Sequence, residues 1–397
     1  MLRLHHHALL ISTALANIVT MPTLNISRPG EKAEGPLLRH LQHEVAQLLN
    51  RGSTVFPGSQ PVSFSRKHFQ ELTSQDYYVC EKSDGFRYLL YCTDDTGEDG
   101  VKFEVIYLID RRNDFFHVTN LHFPKPNAHP TEFHIETLID GELVIDRTRD
   151  GHETAKYLVF DCIVLDGESL MHRTLDKRLA YFKQRIFDPY KKLYKAYPEE
   201  LEHVPFVIEM KQMQFAYGTE MMFRDILPNL PHGNDGLIFT CRNTPYKHGT
   251  DPNILKWKPE NENSIDFRLH MEYPWIDRTL NQIEGTDYDS VPVIHLRIGQ
   301  SNNKPDDYYA DLYLEDSEWE SMKMEREPLE DRIAECYMDA QKRWRFMRWR
   351  DDKDSPNHIS TVTSVIESIR DRVTEAELIL EASSVKKAWK ARASQAK

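Results

Sequence analysis

The stretch Cys80–Tyr88, which reads C-E-K-S-D-G-F-R-Y, contains residues able to perform covalent chemistry. Lys82 is followed at short offsets by Asp84, Gly85 and Arg87. A lysine amine attacks an electrophile only when it is deprotonated, and at an ordinary pKa only about 1 in 2,500 lysines is neutral at pH 7. Cationic neighbours or burial lower that pKa, so a nucleophilic Lys82 requires one or both.

The run Ile254–Pro259, I-L-K-W-K-P, supplies candidate cations. In a strand, Lys256 and Lys258 project from one face while the residues between them project from the other. Two ammonium groups on one face suit an α-phosphate and disfavour a proton on Lys82. A solvated surface strand also explains K-W-K by itself, although the apolar residues before it favour a basic pair at the edge of a core.

Two acid–glycine pairs follow the lysine along the chain. Asp140-Gly141 predicts a tight turn after which Glu142 opens a strand, and a carboxylate facing inward there can hold a ribose hydroxyl or a divalent metal. Asn234–Phe239 predicts a second turn of this kind, with Asp235 as its acid. A plain hairpin explains either pair equally well.

The run Trp344–Lys353 is rich in basic and aromatic residues. Arg348 and Arg350 would share one strand face, with Asp352 and Lys353 in the loop that follows. Guanidinium groups match phosphate oxygens, so the run could neutralise a departing pyrophosphate. The alternative is a basic RNA-binding strand with aromatic stacking.

Length and composition indicate the class of protein. The 397 residues suffice for two domains, and 40% hydrophobic with 28% charged residues is typical of a soluble globular protein. A net charge of −13 argues against a general nucleic-acid coat and confines any such contact to a basic pocket. Five scattered cysteines without C-x-x-C predict reduced thiols and no zinc site.

The N-terminal residues have two interpretations. Arg3 precedes the apolar run Ala8–Val19, which contains small residues at Ala14 and Ala16 as a secretory signal would. The alternative is an upstream extension in which Met21 is the natural start. No stretch reaches the ~20 apolar residues that span a bilayer, so we expect no membrane partner.

Strands and helices follow one another without strict βαβ alternation, which favours an α+β fold. The predicted strands are Asp76–Cys80, Phe86–Cys92, Phe103–Ile109, Phe115–Val118, Glu142–Asp146, Lys156–Leu165, Phe206–Met210, Gly236–Cys241, Ile254–Lys258, Asp266–Glu272, Val291–Gly299, Tyr308–Leu314 and Trp344–Trp349. Helices are predicted over Leu37–Asn50, Leu175–Tyr197, Met221–Leu227, Leu329–Gln341 and Ser360–Lys397. The short strands after Glu260 suit a small barrel such as an OB-fold.

Six motifs occur in a fixed order: K-x-D-G-x-R, D-G-E-L-V, F-D-x-x-x-x-D-G, D-G-L-I-F, L-K-W-K-P and R-x-R-x-D-K-x-x-P-N. Together they resemble the covalent nucleotidyltransferases, and within these the eukaryotic mRNA capping guanylyltransferases of the fungal alpha-subunit type. The resemblance covers residues 40–375. It implies a nucleotidyltransferase (ligase-like) domain of antiparallel sheets over 37–262, an OB-fold domain over 263–375 and a basic helical tail over 376–397. Residues 1–36 are expected to be a disordered extension.

The resemblance also implies roles for individual residues. Lys82 matches the lysine that becomes linked to GMP. Arg87 and Glu142 match ribose contacts, with Glu142 also a candidate metal ligand, and Lys256 and Lys258 match the α-phosphate lysines. The full set of implied nucleotide-binding positions is Glu81, Asp84, Arg87, Arg111, Glu142, Phe160, Asp235, Lys256, Lys258, Arg348, Arg350, Asp352 and Lys353.

A reaction follows from the resemblance. Lys82 attacks the α-phosphate of GTP with Mg²⁺ or Mn²⁺, releases pyrophosphate and passes GMP to the 5′-diphosphate end of nascent mRNA, giving a GpppN cap. Withdrawal of the last motif before the second step implies that the smaller domain opens. Two alternatives stay open: an ATP-dependent polynucleotide ligase, and an inactive capping scaffold.

The expected partners also follow from the resemblance. No H-C-x-x-x-x-x-R phosphatase signature is present, so removal of the RNA γ-phosphate is expected to fall to a separate RNA 5′-triphosphatase subunit. The phosphorylated C-terminal tail of RNA polymerase II is a second implied partner, and the nucleus is the implied location.

Overall fold

A computed structural model describes residues 24–127, 129, 131–259, 263–278, 283–300, 304–325, 327–339 and 341–395. These described residues divide into two compact units, the first within the ranges 1–62, 70–256 and 379–397 and the second within the ranges 63–69 and 257–378. The two interpretations of residues 3–21 fall outside the described residues. Within the described ranges, no helix is both long enough and apolar enough to cross a membrane. All five cysteines are buried free thiols.

The elements have the following bounds. The strands are β1 Glu31–Lys32, β2 Ser59–Ser63, β3 Tyr77–Ser83, β4 Phe86–Thr96, β5 Lys102–Ile109, β6 Phe115–Val118, β7 Thr137–Arg147, β8 Glu153–Leu165, β9 Glu168–Ser169, β10 Val207–Met210, β11 Gln214–Phe215, β12 Asn234–Cys241, β13 Gly249–Trp257, β14 Ser264–Glu272, β15 Trp275–Arg278, β16 Ile283–Thr286, β17 Val293–Ile298, β18 Asp307–Asp311, β19 Ile333–Met338 and β20 Trp344–Trp349. The α-helices are α1 Gly35–Leu48, α2 His68–Ser74, α3 Leu175–Phe182, α4 Asp188–Ala196, α5 Thr219–Met221, α6 Asp316–Met324, α7 Ile359–Arg370 and α8 Glu375–Gln395. π-helical turns over Lys183–Phe187 and Met222–Ile226 follow α3 and α5.

A large sheet with strand order β1-β6-β5-β4-β7-β8-β10 organises the first unit. Its central strands contain continuous apolar runs because both faces are covered, and the adjacent Leu89 and Leu90 on β4 are both fully buried. One face packs on α3 and α4 through Phe182 and Tyr190, and the other packs on α1 through Leu41. The sheet is therefore a rigid base for the polar side chains of β4 and β7.

A second sheet in the same unit, with strand order β11-β3-β12-β13-β2, carries Lys82 on β3. The chain passes from this sheet to the large one between Ser83 and Phe86. Gly85 permits the passage, because a β-carbon there would lie 2.5 Å from the carbonyl oxygen of Leu143 on β7. The glycine of K-x-D-G-x-R thus allows β3, called the lysine strand below because it carries Lys82, to lie against the large sheet.

Five antiparallel strands in the order β18-β17-β14-β19-β20 form the main sheet of the second unit. A parallel bridge between Leu312, just after β18, and Trp344, at the start of β20, joins the two edge strands into a ring. Helix α6 lies between β18 and β19 in chain order. The mixture of sheets and helices confirms the predicted α+β class, and the ring-like five-stranded sheet is consistent with the small barrel predicted for the C-terminal part.

Parts of the predicted secondary structure are wrong. The helix predicted over Leu329–Gln341 is replaced by strand β19. The apolar pattern of this segment is compatible with both a helix and a strand, and pairing with β14 and β20 on its two sides favours the strand. Residues 24–36, expected to be disordered, include β1, which pairs with β6, and the buried Ala33. The single helix predicted over Leu175–Tyr197 is interrupted by a π-helical turn. Tertiary pairing decided the first two cases.

Candidate active site

Lys82 and Asp235 lie on neighbouring antiparallel strands, β3 and β12. The pairing shifts register between Asn234 and Leu237, so Asp235 sits in a bulge and not in the predicted turn. Gly236 takes a φ of 130°, a conformation that favours glycine. From this bulge the Asp235 carboxylate accepts a hydrogen bond of 2.6 Å from the Lys82 ammonium. The two side chains are 26% and 17% exposed, so a ligand can reach both.

Arg87 on β4 stands opposite Glu142 on β7 and forms a buried ion pair with Asp140. Its Nε and Nη2 donate to the two carboxylate oxygens of Asp140 at 2.9 and 2.6 Å. The Tyr246 hydroxyl donates to the same carboxylate at 2.7 Å. Burial disfavours the charged guanidinium, but the Asp140 carboxylate more than compensates and raises the pKa of Arg87. Arg87 is therefore a permanent cation in the wall of the site.

The predicted Asp140-Gly141 turn is wrong, because both residues lie in the interior of β7. Gly141 is required there for packing, since a β-carbon would lie 2.5 Å from Cζ of Tyr157 on β8. Glu142 consequently lies in mid-strand, with its side chain 16% exposed, and does not open the strand as predicted.

Phe160 is the extra residue of a bulge in β8, where the pairing with β7 shifts register. A bulge re-aims a side chain, and the Phe160 ring centroid lies 5.5 Å from the guanidinium carbon of Arg87. Arg111 follows β5, and the residue as a whole is exposed. Burial around its guanidinium and repulsion from the Arg87 cation lower the pKa of Arg111. An aromatic face beside a guanidinium suits a nucleobase with its phosphates.

Glu81 and Asp84 occupy different environments on either side of the lysine. Glu81 projects from the buried face of β3 because side chains alternate along a strand. Asp84 is exposed in the turn after β3, where its backbone N–H donates to the carbonyl of Gly233 at 2.9 Å. Glu81 thus lies behind Lys82, whereas Asp84 lies at the surface.

The predicted lysine pair is divided between the two units. Lys256 lies on β13, the strand next to β12 in the lysine sheet, and is half-buried. Lys258 follows the end of β13 and belongs to the second unit. Lys82 donates a hydrogen bond to an acid, Asp235, and the cationic pair beside it stays a prediction.

The basic cluster of the last motif lies in the second unit, where acids neutralise it. Arg348 on β20 pairs with a carboxylate of the neighbouring strand at 2.6 Å, and Arg350 pairs with Asp266 at 2.9 Å. The ammonium of Lys353 also donates to Asp266. Hydrogen bonding to Arg350 lowers the pKa of Asp352 to about 2. Binding of a phosphate to this cluster would therefore have to compete with carboxylates.

Comparison with known proteins identifies the family. The model of the mRNA capping enzyme catalytic domain matches residues 23–260, and that of the mRNA capping enzyme C-terminal domain matches residues 262–379. This chain belongs to the mRNA capping enzyme family. The mRNA-capping enzyme subunit alpha of Neurospora crassa is 48% identical over 95% of this chain and 96% of that protein. Those of Yarrowia lipolytica and Schizosaccharomyces pombe are 45% and 42% identical, over 92% of this chain and 91% and 89% of their own length.

Membership of the capping enzyme family confirms the class of enzyme predicted from the motifs, a guanylyltransferase with GTP as substrate. Among solved structures, a mycobacterial DNA ligase D complexed with ATP and MES aligns with 75% of this chain and 95% of its own. Its TM-score is 0.34 at 13% identity, which is too low to support any inference. The ligase alternative therefore gains no support.

Sequence reasoning missed Lys211, which is buried behind the lysine strand of this capping enzyme. Its ammonium donates to the Ser83 hydroxyl at 2.5 Å and lies 3.4 Å from Glu81 and 3.7 Å from Glu142. Burial disfavours the ammonium, but neighbouring groups including both carboxylates raise the pKa of Lys211 overall. No motif signals this lysine, because its partners are distant in sequence and meet only in the folded sheets.

The donor groups of the capping enzyme site fit a metal ion that keeps most of its ligands from phosphate and water. In the ranges that the structure describes, no group of three or more His, Cys, Asp or Glu side chains is arranged to hold a metal. Mg²⁺ needs only one or two carboxylates beside substrate phosphates. The partly exposed Glu142 carboxylate can supply one of them.

Proposed function

We propose that this capping enzyme is a GTP:mRNA guanylyltransferase that works through a covalent lysyl-GMP intermediate on Lys82. The observation that carries the proposal is the position of Lys82 on β3. Its amine is accessible and lies 2.6 Å from a carboxylate that can accept its proton. Arg87, Phe160 and Glu142 lie on the large sheet of the same unit, which the chain enters directly after β3 through Gly85.

In the first step, Nζ of Lys82 attacks the α-phosphorus of GTP in line. A phosphorus–nitrogen bond forms, the bond to the bridging oxygen breaks, and pyrophosphate leaves with the electron pair. Asp235 accepts the proton that the amine loses. In the second step, a terminal phosphate oxygen of 5′-diphosphate RNA attacks the same phosphorus, and the lysine nitrogen leaves and regains a proton.

Substrate binding is divided among the remaining residues. Arg87 and Glu142 hold the ribose, and the Phe160 ring packs on the base. Lys256 and Lys258, with Arg111, neutralise the phosphates. A bound Mg²⁺ or Mn²⁺, held by Glu142 and the phosphates, would supply further positive charge at the reacting phosphate.

The second unit contributes the last motif. We assign the β- and γ-phosphates to Arg348, Arg350 and Lys353, with Asp352 orienting the guanidinium of Arg350 through two bonds of 2.9 Å. On this assignment, residues 37–262 form the nucleotidyltransferase domain, 263–375 the OB-fold domain and 376–397 the basic tail.

The proposed partners follow from the reaction and from the relatives. The acceptor is the 5′-diphosphate end of nascent mRNA. The curated relatives are named as alpha subunits, which supports a heteromer, and we propose an RNA 5′-triphosphatase as the other subunit. The phosphorylated tail of RNA polymerase II is the proposed second partner, and the nucleus the proposed location.

A labelling experiment tests the proposed function. The full chain is incubated separately with α-³²P-labelled GTP and ATP and resolved on a denaturing gel. We expect a GTP-derived adduct that is lost in Lys82→Met and kept in Lys177→Met, a control at an exposed helical lysine. An ATP-derived adduct would indicate the ligase, and the absence of any adduct would indicate the scaffold.

A further inference from the structure

The segment Pro231–Asp235 fastens the lysine strand to the large sheet. It is bonded on one side to the end of β7 and on the other to Lys82 and the turn after it. These bonds are Arg147 N–H to Pro231 O at 2.8 Å, His232 Nδ1 to Asp146 at 2.7 Å, Asp84 N–H to Gly233 O at 2.9 Å and Lys82 Nζ to Asp235 at 2.6 Å. Through these hydrogen bonds, four of the five residues of this segment position the backbone around Lys82.

His232 is the buried charged member of this segment. Its side chain is 7% exposed, and its Nε2 lies 3.7 Å from the Glu81 carboxylate, with no hydrogen-bond partner among the described residues. Asp146, which is hydrogen-bonded to Nδ1 of His232, also forms an ion pair with Lys156 at 2.8 Å. Burial disfavours a charged ring, but the bond to Asp146 and the proximity of Glu81 raise the pKa of His232 to about 9. The ring is thus a cation between two carboxylates at neutral pH.

Glu81 connects this cation to the nucleophile. It directly precedes Lys82 on β3, and its carboxylate oxygen Oε1 lies 3.7 Å from Nε2 of His232 and 3.4 Å from Nζ of Lys211. Lys211 in turn bonds to Ser83, the residue that directly follows Lys82. Both residues adjoining the nucleophile are therefore held from the buried side of the strand.

We propose that His232 is a positioning residue for the nucleotidyl transfer. It holds Glu81 and the end of β7 together and thereby fixes the backbone that aims Lys82 and Asp235. His232 touches no substrate in this role and acts through Glu81 and Asp146. The proposal rests on the proposed function of Lys82 as the nucleophile.

The same unit offers a matched control, His134. This histidine is fully buried, its Nδ1 lies 3.0 Å from Asp166 and its Nε2 lies 3.1 Å from the carbonyl of Arg185. It is therefore a second buried histidine–aspartate pair, bonded to residues outside the Pro231–Asp235 segment. A purely structural role for His232 predicts that His232→Gln and His134→Gln behave alike.

Single-turnover labelling with GTP separates the two possibilities. For His232→Gln we expect the maximal rate of adduct formation per folded molecule to fall roughly tenfold to hundredfold, as for misplaced reacting groups. The GTP concentration giving half-maximal rate should stay within about twofold. His134→Gln should lower the melting temperature yet keep the rate within about twofold of the unchanged chain. A loss of thermal stability alone in His232→Gln, or a change confined to GTP affinity, would overturn the proposal.

A second variant keeps the test decisive if His232→Gln does not fold. Asp146→Asn removes one charge without changing shape, and it should slow the same step in the same direction. When both variants fold, the loss of rate in the double variant should be less than the sum of the two single losses, because both substitutions break the same hydrogen-bonded pair. Full additivity would contradict the proposal. Failure of the unchanged chain to label would reject the proposed function itself, whereas labelling at an unchanged rate in both variants would reject only this inference.

Discussion

The Lys82 ammonium and the Asp235 carboxylate form a 2.6 Å hydrogen bond across two neighbouring strands of one sheet. A register shift beside Asp235 is what allows its short side chain to reach the lysine. The proposed nucleophile and the group that can receive its proton are therefore positioned by the sheet before any substrate binds.

Asp235→Asn tests this relationship. We expect adduct formation to slow roughly tenfold to hundredfold, because the lysine loses both its anchor and its proton acceptor. The free energy of unfolding should change by no more than about 1 kcal/mol, since both side chains are partly exposed. Single-turnover labelling and urea unfolding measure the two effects. Asp188→Asn, in an exposed pair with Lys183, serves as the control for charge removal, and an unchanged rate in Asp235→Asn would refute the assignment.

The buried pair of Arg87 and Asp140 predicts a different outcome. Asp140→Asn should lower the free energy of unfolding by about 3–5 kcal/mol, because it leaves the Arg87 guanidinium buried without its counter-charge. Glu220→Gln removes the partner of Arg224 at the surface and should cost at most about 1 kcal/mol. Chemical denaturation of both variants compares them directly. Similar losses in the two would mean that the Arg87 pair is solvated in solution.

Gly85→Ala tests the close approach between the lysine strand and β7. The added β-carbon would meet the Leu143 carbonyl at 2.5 Å, and backbone cannot move aside cheaply. We expect a loss of about 1–3 kcal/mol in stability together with slower adduct formation. Gly52→Ala is the matched control, because nothing lies within 4 Å of its added carbon. An equal effect at both positions would argue against the close approach.

The pH dependence of stability tests the charge on His232. Its pKa of about 9 in the folded protein lies above its ordinary value of 6.5, so folding binds the proton more tightly. The stabilisation is then complete below about pH 6.5 and is lost as the pH rises through about 9. Unfolding of the unchanged chain and His232→Gln should therefore differ by about 1–3 kcal/mol at pH 6 and converge near pH 10. A difference independent of pH would show that folding leaves the pKa of His232 unchanged.

Much of the architecture could be predicted from local pattern. The strand bounds Phe115–Val118 and Trp344–Trp349 coincide with β6 and β20, because alternation of apolar residues reports strands directly. The short strands in series likewise indicated a small β domain, whereas the OB-fold itself was implied by the family resemblance. The acid–glycine pairs failed as turns, since Asp-Gly is compatible with a hairpin and with a strand that another backbone approaches closely. Only the neighbours of Gly141, such as Tyr157, distinguish the two.

The order of the six motifs determined the family and the reaction, because the chemistry requires particular residue types and the sequence shows these types directly. The tertiary structure alone decided that Asp235 reaches Lys82 from a bulge and that Lys211 and His232 close around Glu81. These contacts join residues more than 100 positions apart, and around Glu81 burial makes each charge depend on its partner. A local pattern carries information about neighbours in sequence, whereas strand register and buried charge pairing are properties of the assembled sheets.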